Sequence, residues 1–307
     1  KVFPGTPIKL QWSREEDQKH GFFHPTTMAK MRGSLDAEGN LTGLHMRISG
    51  QSILAGLMPH ALVEGADYLQ FQGVIKEGLN PSMDDHSICY DIPNVLVDHA
   101  MRNPPIRPGF WRGVNVNQNT IYMECFLDEM AHAAGRDALE FRLALMKNHP
   151  KSAAVLKAAA EQGGWGSNDG KARGLAFLHS FGSYVAACAE VSVDDDGKLS
   201  MDRIVAATDC GTAVNPQQIE AQVQGSFVYG LSGALYSECT LANGEFQEDN
   251  FHTYPSMKIA AMPKVEVIVM PSGGFFGGVG EPTIGVAAPA VLNAIFAATG
   301  KRIRQLP

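Results

Sequence analysis

Cysteine is scarce and scattered in this chain: Cys89, Cys125, Cys188, Cys210 and Cys239 are the only five among 307 residues. None forms a CxxC pair, which argues against a zinc ribbon or an iron–sulfur cluster held within the chain, and an odd, dispersed set makes a disulfide framework implausible at this length. They read as small, mostly buried hydrophobes. Charge is sparse as well, at 19% of residues, and the 25 Lys and Arg are scattered among 32 acids for a formal charge of -7. No basic face is concentrated enough to neutralise phosphates, so nucleic acid is set aside as a partner. No apolar run approaches the ~18 residues of a membrane-spanning helix, and no charged-then-apolar targeting segment opens the chain. The chain starts at Lys1 without an initiator Met, so a processed or truncated chain is expected and its compartment is not read from this end.

Familiar catalytic signatures are missing too. HExxH and GxSxG do not occur, and the GK pair at Gly300-Lys301 lacks both the upstream Gly and the following Ser or Thr of a phosphate loop. GGFFGGVG lacks dinucleotide-loop spacing. The ten histidines form no ligand-spaced pair, and Asp84-Asp85-His86, the nearest approach to a metal cluster, reads first as loop.

What is present is ample core material, 45% hydrophobic residues, enough for two domains or one large one. MRGSL and LTGLHMRIS flank a loop at 36–40 and predict a hairpin over 31–49. Residues 50–90 show no sustained period. Met123, Leu127, Met130 and Ala134 predict a helix stopped by Gly135, and Asp137 with Glu140 predicts a capped second helix whose stripe is Leu139, Leu143 and Met146. His149-Pro150 is expected to end that pair, and a short helix over 152–162 runs into GGWGSNDGK, the best linker. The second half then reads as α+β. Ala187, Ala189, Val191 and Val193 alternate toward a turn and a partner strand at 204–208, with another strand from Val265. Asn215-Pro216 starts a helix whose apolar face is Ile219, Val223, Phe227 and Leu231. A last helix places Ala288, Leu292, Ile295 and Thr299 on one side and ends at Gly300.

One acid stands apart. Glu281 sits between Gly280 and Pro282 in a run where six glycines fall between Gly273 and Gly285. Backbone there can approach a bulky ligand closely, and a lone carboxylate before a helix is what a positioned general base looks like. The plainer alternative is a surface turn whose acid caps the next helix.

A resemblance bears on that choice. GVGEPTIGVAAPAVLNAIFAATGKRIRQLP resembles the end of the large subunit of the xanthine oxidase/aldehyde oxidase family of molybdenum hydroxylases. The likeness is nearest the branch of isoquinoline 1-oxidoreductase β-subunits and membrane-associated aldehyde dehydrogenases. PIKLQWSREED, PGFWRGVNVNQNTIYMECFLDEMAHAAGRDALEFR, FGSYVAACAEVSV and DCGTAVNPQQIEAQVQGSFVYGLSGALYSE follow the same family order. The resemblance implies an α+β fold of the aldehyde oxidoreductase type, mixed sheets with packed helices. It implies that residues 1–150 complete one molybdopterin-binding region and 151–307 form a second. By position, Glu281 matches the catalytic glutamate, with Gly280 beside it. Trp111-Arg112-Gly113 matches a loop at the cofactor's metal end, and Gln222 a glutamine on the pterin. Val114 falls where relatives place an aromatic residue against substrate, which puts a purine-type substrate in doubt. The metal would be held by the dithiolene of molybdopterin, in its cytosine dinucleotide form or a close relative, with no protein metal ligand. The implied activity is oxidation of an aldehyde or an N-heteroaromatic carbon, with water as oxygen source.

The family's upstream half, with its GGGFG loop, is absent from the chain, so a partner chain carrying it is expected. So are a separate iron–sulfur subunit and a possible cytochrome acceptor. Periplasmic or membrane-associated placement follows from relatives in this branch, with the cytoplasm as alternative. A non-catalytic scaffold or fragment of the same fold, binding partner subunits, stays open as a second reading.

Overall fold

The computed structural model describes residues 2–75 and 88–307; Asp84-Asp85-His86 lies outside them. Helix α1 (Arg14–His20) starts where Ser13 Oγ accepts from Glu16 N at 3.2 Å. Strands β1 (Thr27–Leu35) and β2 (Leu41–Gly50) form the expected antiparallel hairpin. Its turn closes on Asp36, whose carboxylate accepts from the N–H groups of Glu38 and Asn40, while Gly39 takes φ +78°. Helix α2 (Ile53–Leu57) follows, and β3 (Asn94–Met101) then adds parallel to β2, giving the order β1-β2-β3. Leu41, Leu44, Met46 and Ile48 of β2 enter the core.

Helices α3 (Val116–Ala133), α4 (Ala138–Leu145) and α5 (Pro150–Gln162) cover this core. α3 begins at Val116, well ahead of the period that opens at Met123, because its first turns are buried polar residues: Asn117, Gln118, Asn119 and Thr120. Such a segment has no apolar stripe to read. In α4, Asp137 caps as expected by accepting from Leu139 N and Glu140 N. The expected stripe is rotated, however. Phe141 and Leu145 are buried with Met146, whereas Leu139 and Leu143 are only partly buried. The rotation brings Arg142 inward. The pair ends ahead of His149-Pro150, as expected, and Pro150 also opens α5, at the first position where a missing N–H costs nothing.

The second sheet has the order β4-β5-β6-β9 and comprises β4 (Ala172–Ser180), β5 (Ser183–Val193), β6 (Leu199–Asp209) and, after α6 (Pro216–Leu235) and the small hairpin of β7 (Leu241–Ala242) and β8 (Glu245–Phe246), β9 (Lys264–Val269). β4 was not legible as a strand. It is buried along most of its length, as is β5 in place of the expected alternation, because helices cover the sheet. Asn215 Oδ1 caps α6 by accepting from Gln218 N at 3.2 Å, and all four residues of the expected apolar face are buried. Helix α7 (Ile284–Thr299) ends at Gly300 as expected, yet it is buried on every side from Ile284 to Ala294, so the one-sided stripe is a misreading of a central helix. α7 presses so closely on β4 that a Cβ on Gly174 would collide with the backbone at Ala290 and Ala294. No helix of the described residues is long and apolar enough to cross a membrane.

One buried ionic cluster ties α3 to α4. Arg142 Nε donates to Glu124 Oε2 at 2.9 Å and Nη2 to the Glu124 carbonyl at 2.8 Å, while Tyr90 Oη donates to Glu124 Oε1 at 2.7 Å. Arg142 and Glu124 are at most 1% exposed. Burial pushes the Glu124 carboxyl above its ordinary value, and the Arg142 charge opposes that push.

Candidate active site

Three segments converge on Glu281. The first is the turn from Trp111 to Val114 that leads into α3; the second is the Gly-rich loop that leads into α7; the third is the flank of α6. Glu281 Oε1 accepts from Gly113 N at 3.0 Å. Arg112 Nε donates to the carbonyl of Gly280, and its Nη2 donates to Gln222 Oε1 at 3.0 Å and Ser226 Oγ at 2.9 Å. Five residues singled out in the sequence therefore meet here: Arg112, Gly113, Gln222, Gly280 and Glu281.

Local chemistry explains the arrangement. Gly278 N donates to the Phe181 carbonyl and Ser183 Oγ to the Gly278 carbonyl, both at 2.7 Å, so the tip between β4 and β5 grips the loop shortly before the acid. After Glu281 and Pro282 the chain turns at once into α7, with Ile284 N donating to the Glu281 carbonyl at 3.1 Å. The starts of α3 and α7 touch, since a Cβ on Gly285 would lie 3.2 Å from Thr120 Oγ1. Gly113 has φ +90°, and a Cβ on it would lie 2.5 Å from Asn117 Oδ1, so only glycine serves there.

Arg112 is the electrostatic feature of the site. Burial pulls its guanidinium below its ordinary value, and the nearby Glu281 charge opposes this. No carboxylate lies within salt-bridge distance of it among the described residues; its partners are the neutral oxygens of Gly280, Gln222 and Ser226. Nη1 has no hydrogen bond among those partners and looks toward Gly225, where a Cβ would meet nothing nearer than that nitrogen at 3.9 Å. A Cβ on Gly280 would meet nothing within 4 Å. The cation thus keeps donors free beside open space, a setting for a polar, electron-rich ligand.

The remaining expected residues flank this centre. Trp111 turns its ring onto Tyr229 of α6, with centroids 4.7 Å apart and planes at 22°. Val114 is partly buried, and its backbone is left-handed at φ +49°. Sequence reasoning passed over three contributors. Ser226 lies one turn after Gln222 on α6, a spacing that could have found it. Asn117 and His24, which both hold the Val114 carbonyl, carry no sequence signal of their own. Among the described residues no group of three or more His, Cys, Asp and Glu gathers to hold a metal ion.

Comparison with known proteins bears on the domain and the fold. Residues 122–263 match the family described as a molybdopterin cofactor-binding domain. The chain is 28% identical to isoquinoline 1-oxidoreductase subunit beta of Brevundimonas diminuta over 99% of its own length and 38% of the relative's. It is 29% identical to a membrane-bound aldehyde dehydrogenase of Gluconacetobacter polyoxogenes over all of its length and 42% of the relative's. It thus spans about two-fifths of these curated relatives. The aldehyde oxidoreductase structure from Desulfovibrio gigas superposes with a TM-score of 0.71 at 15% identity, covering 97% of this chain and 50% of that one, which shows the α+β fold. The cofactor of such a domain is molybdopterin with molybdenum, and the site fits it in charge and space through the free edge of Arg112 and the openings at Gly225 and Gly280. The chain thus carries a match to a molybdopterin cofactor-binding domain, is similar along nearly all of its length to the isoquinoline 1-oxidoreductase and aldehyde dehydrogenase relatives, and shares the aldehyde oxidoreductase fold.

Proposed function

We propose that this chain is the catalytic portion of a molybdenum hydroxylase that oxidises an aldehyde or a carbon beside a ring nitrogen, with water as the oxygen source. The observation that carries the reading is the setting of Glu281. One carboxylate oxygen is tethered by Gly113 N–H, and the other has no hydrogen-bond partner among the described residues. When bound, the cofactor would supply a molybdenum centre as two-electron acceptor. The chain's residues do the rest. Glu281, anchored through Oε1, accepts a proton on its second oxygen. Arg112 and Gln222 orient the pterin, Arg112 through Nη1 and Gln222 through the amide nitrogen left over when its oxygen accepts from Arg112. Gly280, Gly113 and Trp111 shape the cofactor's side of the pocket, and Val114 the substrate's side.

The cofactor form we assign is the cytosine dinucleotide, with iron–sulfur clusters on a separate subunit and a cytochrome as acceptor beyond it. Two cofactor-binding regions, 1–150 and 151–307, each supply one wall, Arg112 from the first and Gln222 and Glu281 from the second. A chain carrying the rest of the subunit completes the cradle. The extended N-terminal arm supports that pairing, for Val2, Phe3, Ile8, Leu10 and Trp12 are all more than half exposed. Such apolar surface is what an absent neighbour covers.

The test is molybdenum content and substrate oxidation in protein purified with its partner chains. Gln222→Ala is expected to weaken cofactor binding by about 1–3 kcal/mol, because an acceptor on the pterin loses its donor. Arg112→Ala is expected to cost more, since the grip on Gly280 and Ser226 goes with the charge. Unchanged molybdenum per chain in both variants rejects these roles.

A further inference from the structure

We propose that His24 is a positioning residue: it braces the Arg112–Gly113–Val114 turn in a conformation that Val114 resists, and so holds the Gly113 N–H against Glu281. The functional part of this inference rests on the reading of Glu281 as the base.

Val114 is held at φ +49°. A β-branched residue in the left-handed region is an outlier, because its side chain crowds the backbone there. Such a conformation persists only where the surroundings overdetermine it. Val114 N donates to the Trp111 carbonyl at 2.7 Å, Val116 N to the Gly113 carbonyl at 3.1 Å, and Asn117 Nδ2 to the carbonyls of Arg112 and Val114 at 2.8 and 3.1 Å. All of these are local to the turn. From distant segments, His24 Nε2 lies 3.2 Å from the Val114 oxygen across 90 residues of sequence, and Gln72 Oε1 accepts from Asn115 N at 3.2 Å on the other side of the same peptide. A carbonyl only accepts, so Nε2 carries the hydrogen.

The placement of His24 has its own support. Phe23 N donates to the Arg107 carbonyl at 2.9 Å, and Gly109 N donates back to the Phe23 carbonyl at 2.8 Å. This clamp lies immediately before Trp111, whose ring meets the imidazole edge-on at 5.7 Å. The same turn delivers the Gly113 N–H to Glu281 Oε1 at 3.0 Å. If the Val114 peptide relaxed toward the ordinary region, that N–H would swing away and the carboxylate would lose its tether.

The experiment uses the complex with its partner chains and reads the unfolding midpoint, molybdenum per chain, and kcat and KM per bound molybdenum. Val114→Gly is expected to melt higher than Val114→Ala, the reverse of an ordinary position, because glycine accepts a left-handed φ freely. His24→Leu is expected to lower the midpoint in the natural background and to lower it much less beside Val114→Gly. In the loaded enzyme, His24→Leu is expected to cut kcat on the order of tenfold or more with KM nearly unchanged. His24→Gln, whose amide reaches the same carbonyl, restores most of it. An Ala-above-Gly order at 114, or a His24→Leu penalty equal in both backgrounds, overturns the brace. Equal kcat loss in His24→Leu and His24→Gln overturns the positioning role. The melting arms do not depend on Glu281, so failure of the base reading, shown by an active Glu281→Gln, is told apart from failure of the brace.

Discussion

Glu281→Gln is expected to leave the protein folded, assembled and loaded with molybdenum, while turnover per bound metal falls by about 10²- to 10⁴-fold. The structure explains why the two effects separate. The glutamine amide oxygen can still accept from Gly113 N–H, so the tether held by Oε1 survives. Arg112 holds Gly280 through the Gly280 carbonyl, which the substitution does not touch. What is lost is the second oxygen as a proton acceptor, since an amide nitrogen in its place only donates. Were Glu281 merely a turn residue, the change would cost at most about 1 kcal/mol of stability and leave the rate intact. Dividing the rate by bound molybdenum removes any loss of cofactor. A normal quotient ends the general-base assignment.

Arg142→Met is expected to give the largest loss of stability, about 3–5 kcal/mol, measured by denaturant unfolding. The methionine fills much of the stem's volume, but Glu124 is left 1% exposed without its cation, with Tyr90 Oη and the Phe177 backbone still donating to it. The pH dependence carries a definite sign. Burial raises the folded-state value of Glu124 above its ordinary 4.5, so the folded protein binds more protons than the unfolded chain in the range above that value. Stability then falls as pH rises through that range. Removing Arg142 removes the opposing charge and widens the window, so the deficit of the variant is expected to be larger at pH 8 than at pH 5. Arg142→Met combined with Glu124→Gln should recover a good part of the loss, because no unpaired charge then remains in the core. A deficit that is the same at both pH values, and is not relieved in the double variant, would assign the effect to packing alone.

Several elements of this protein follow from its sequence by itself. The β1–β2 hairpin, the α6 start at Asn215-Pro216 and the end of α7 at Gly300 rest on turn and cap chemistry within a few residues, and they stand in the structure at those positions. Motif order and the Gly-Glu-Pro run also single out Glu281, Arg112 and Gln222. What lies beyond local chemistry was not legible. β4 and the all-round burial of α7 depend on being covered from both faces, which erases the periodicity that marks an exposed side. The inward turn of Arg142 depends on Glu124, which a different helix supplies. The polar first turns of α3 are buried because the chain folds over them, against every compositional expectation. The meeting of Gly113 with Glu281, 168 residues apart in the chain, and of His24 with Val114, 90 apart, are tertiary facts. A hydrogen bond between distant segments leaves no trace in either one, because each donor or acceptor looks the same in sequence whether its partner is water or the far side of the fold.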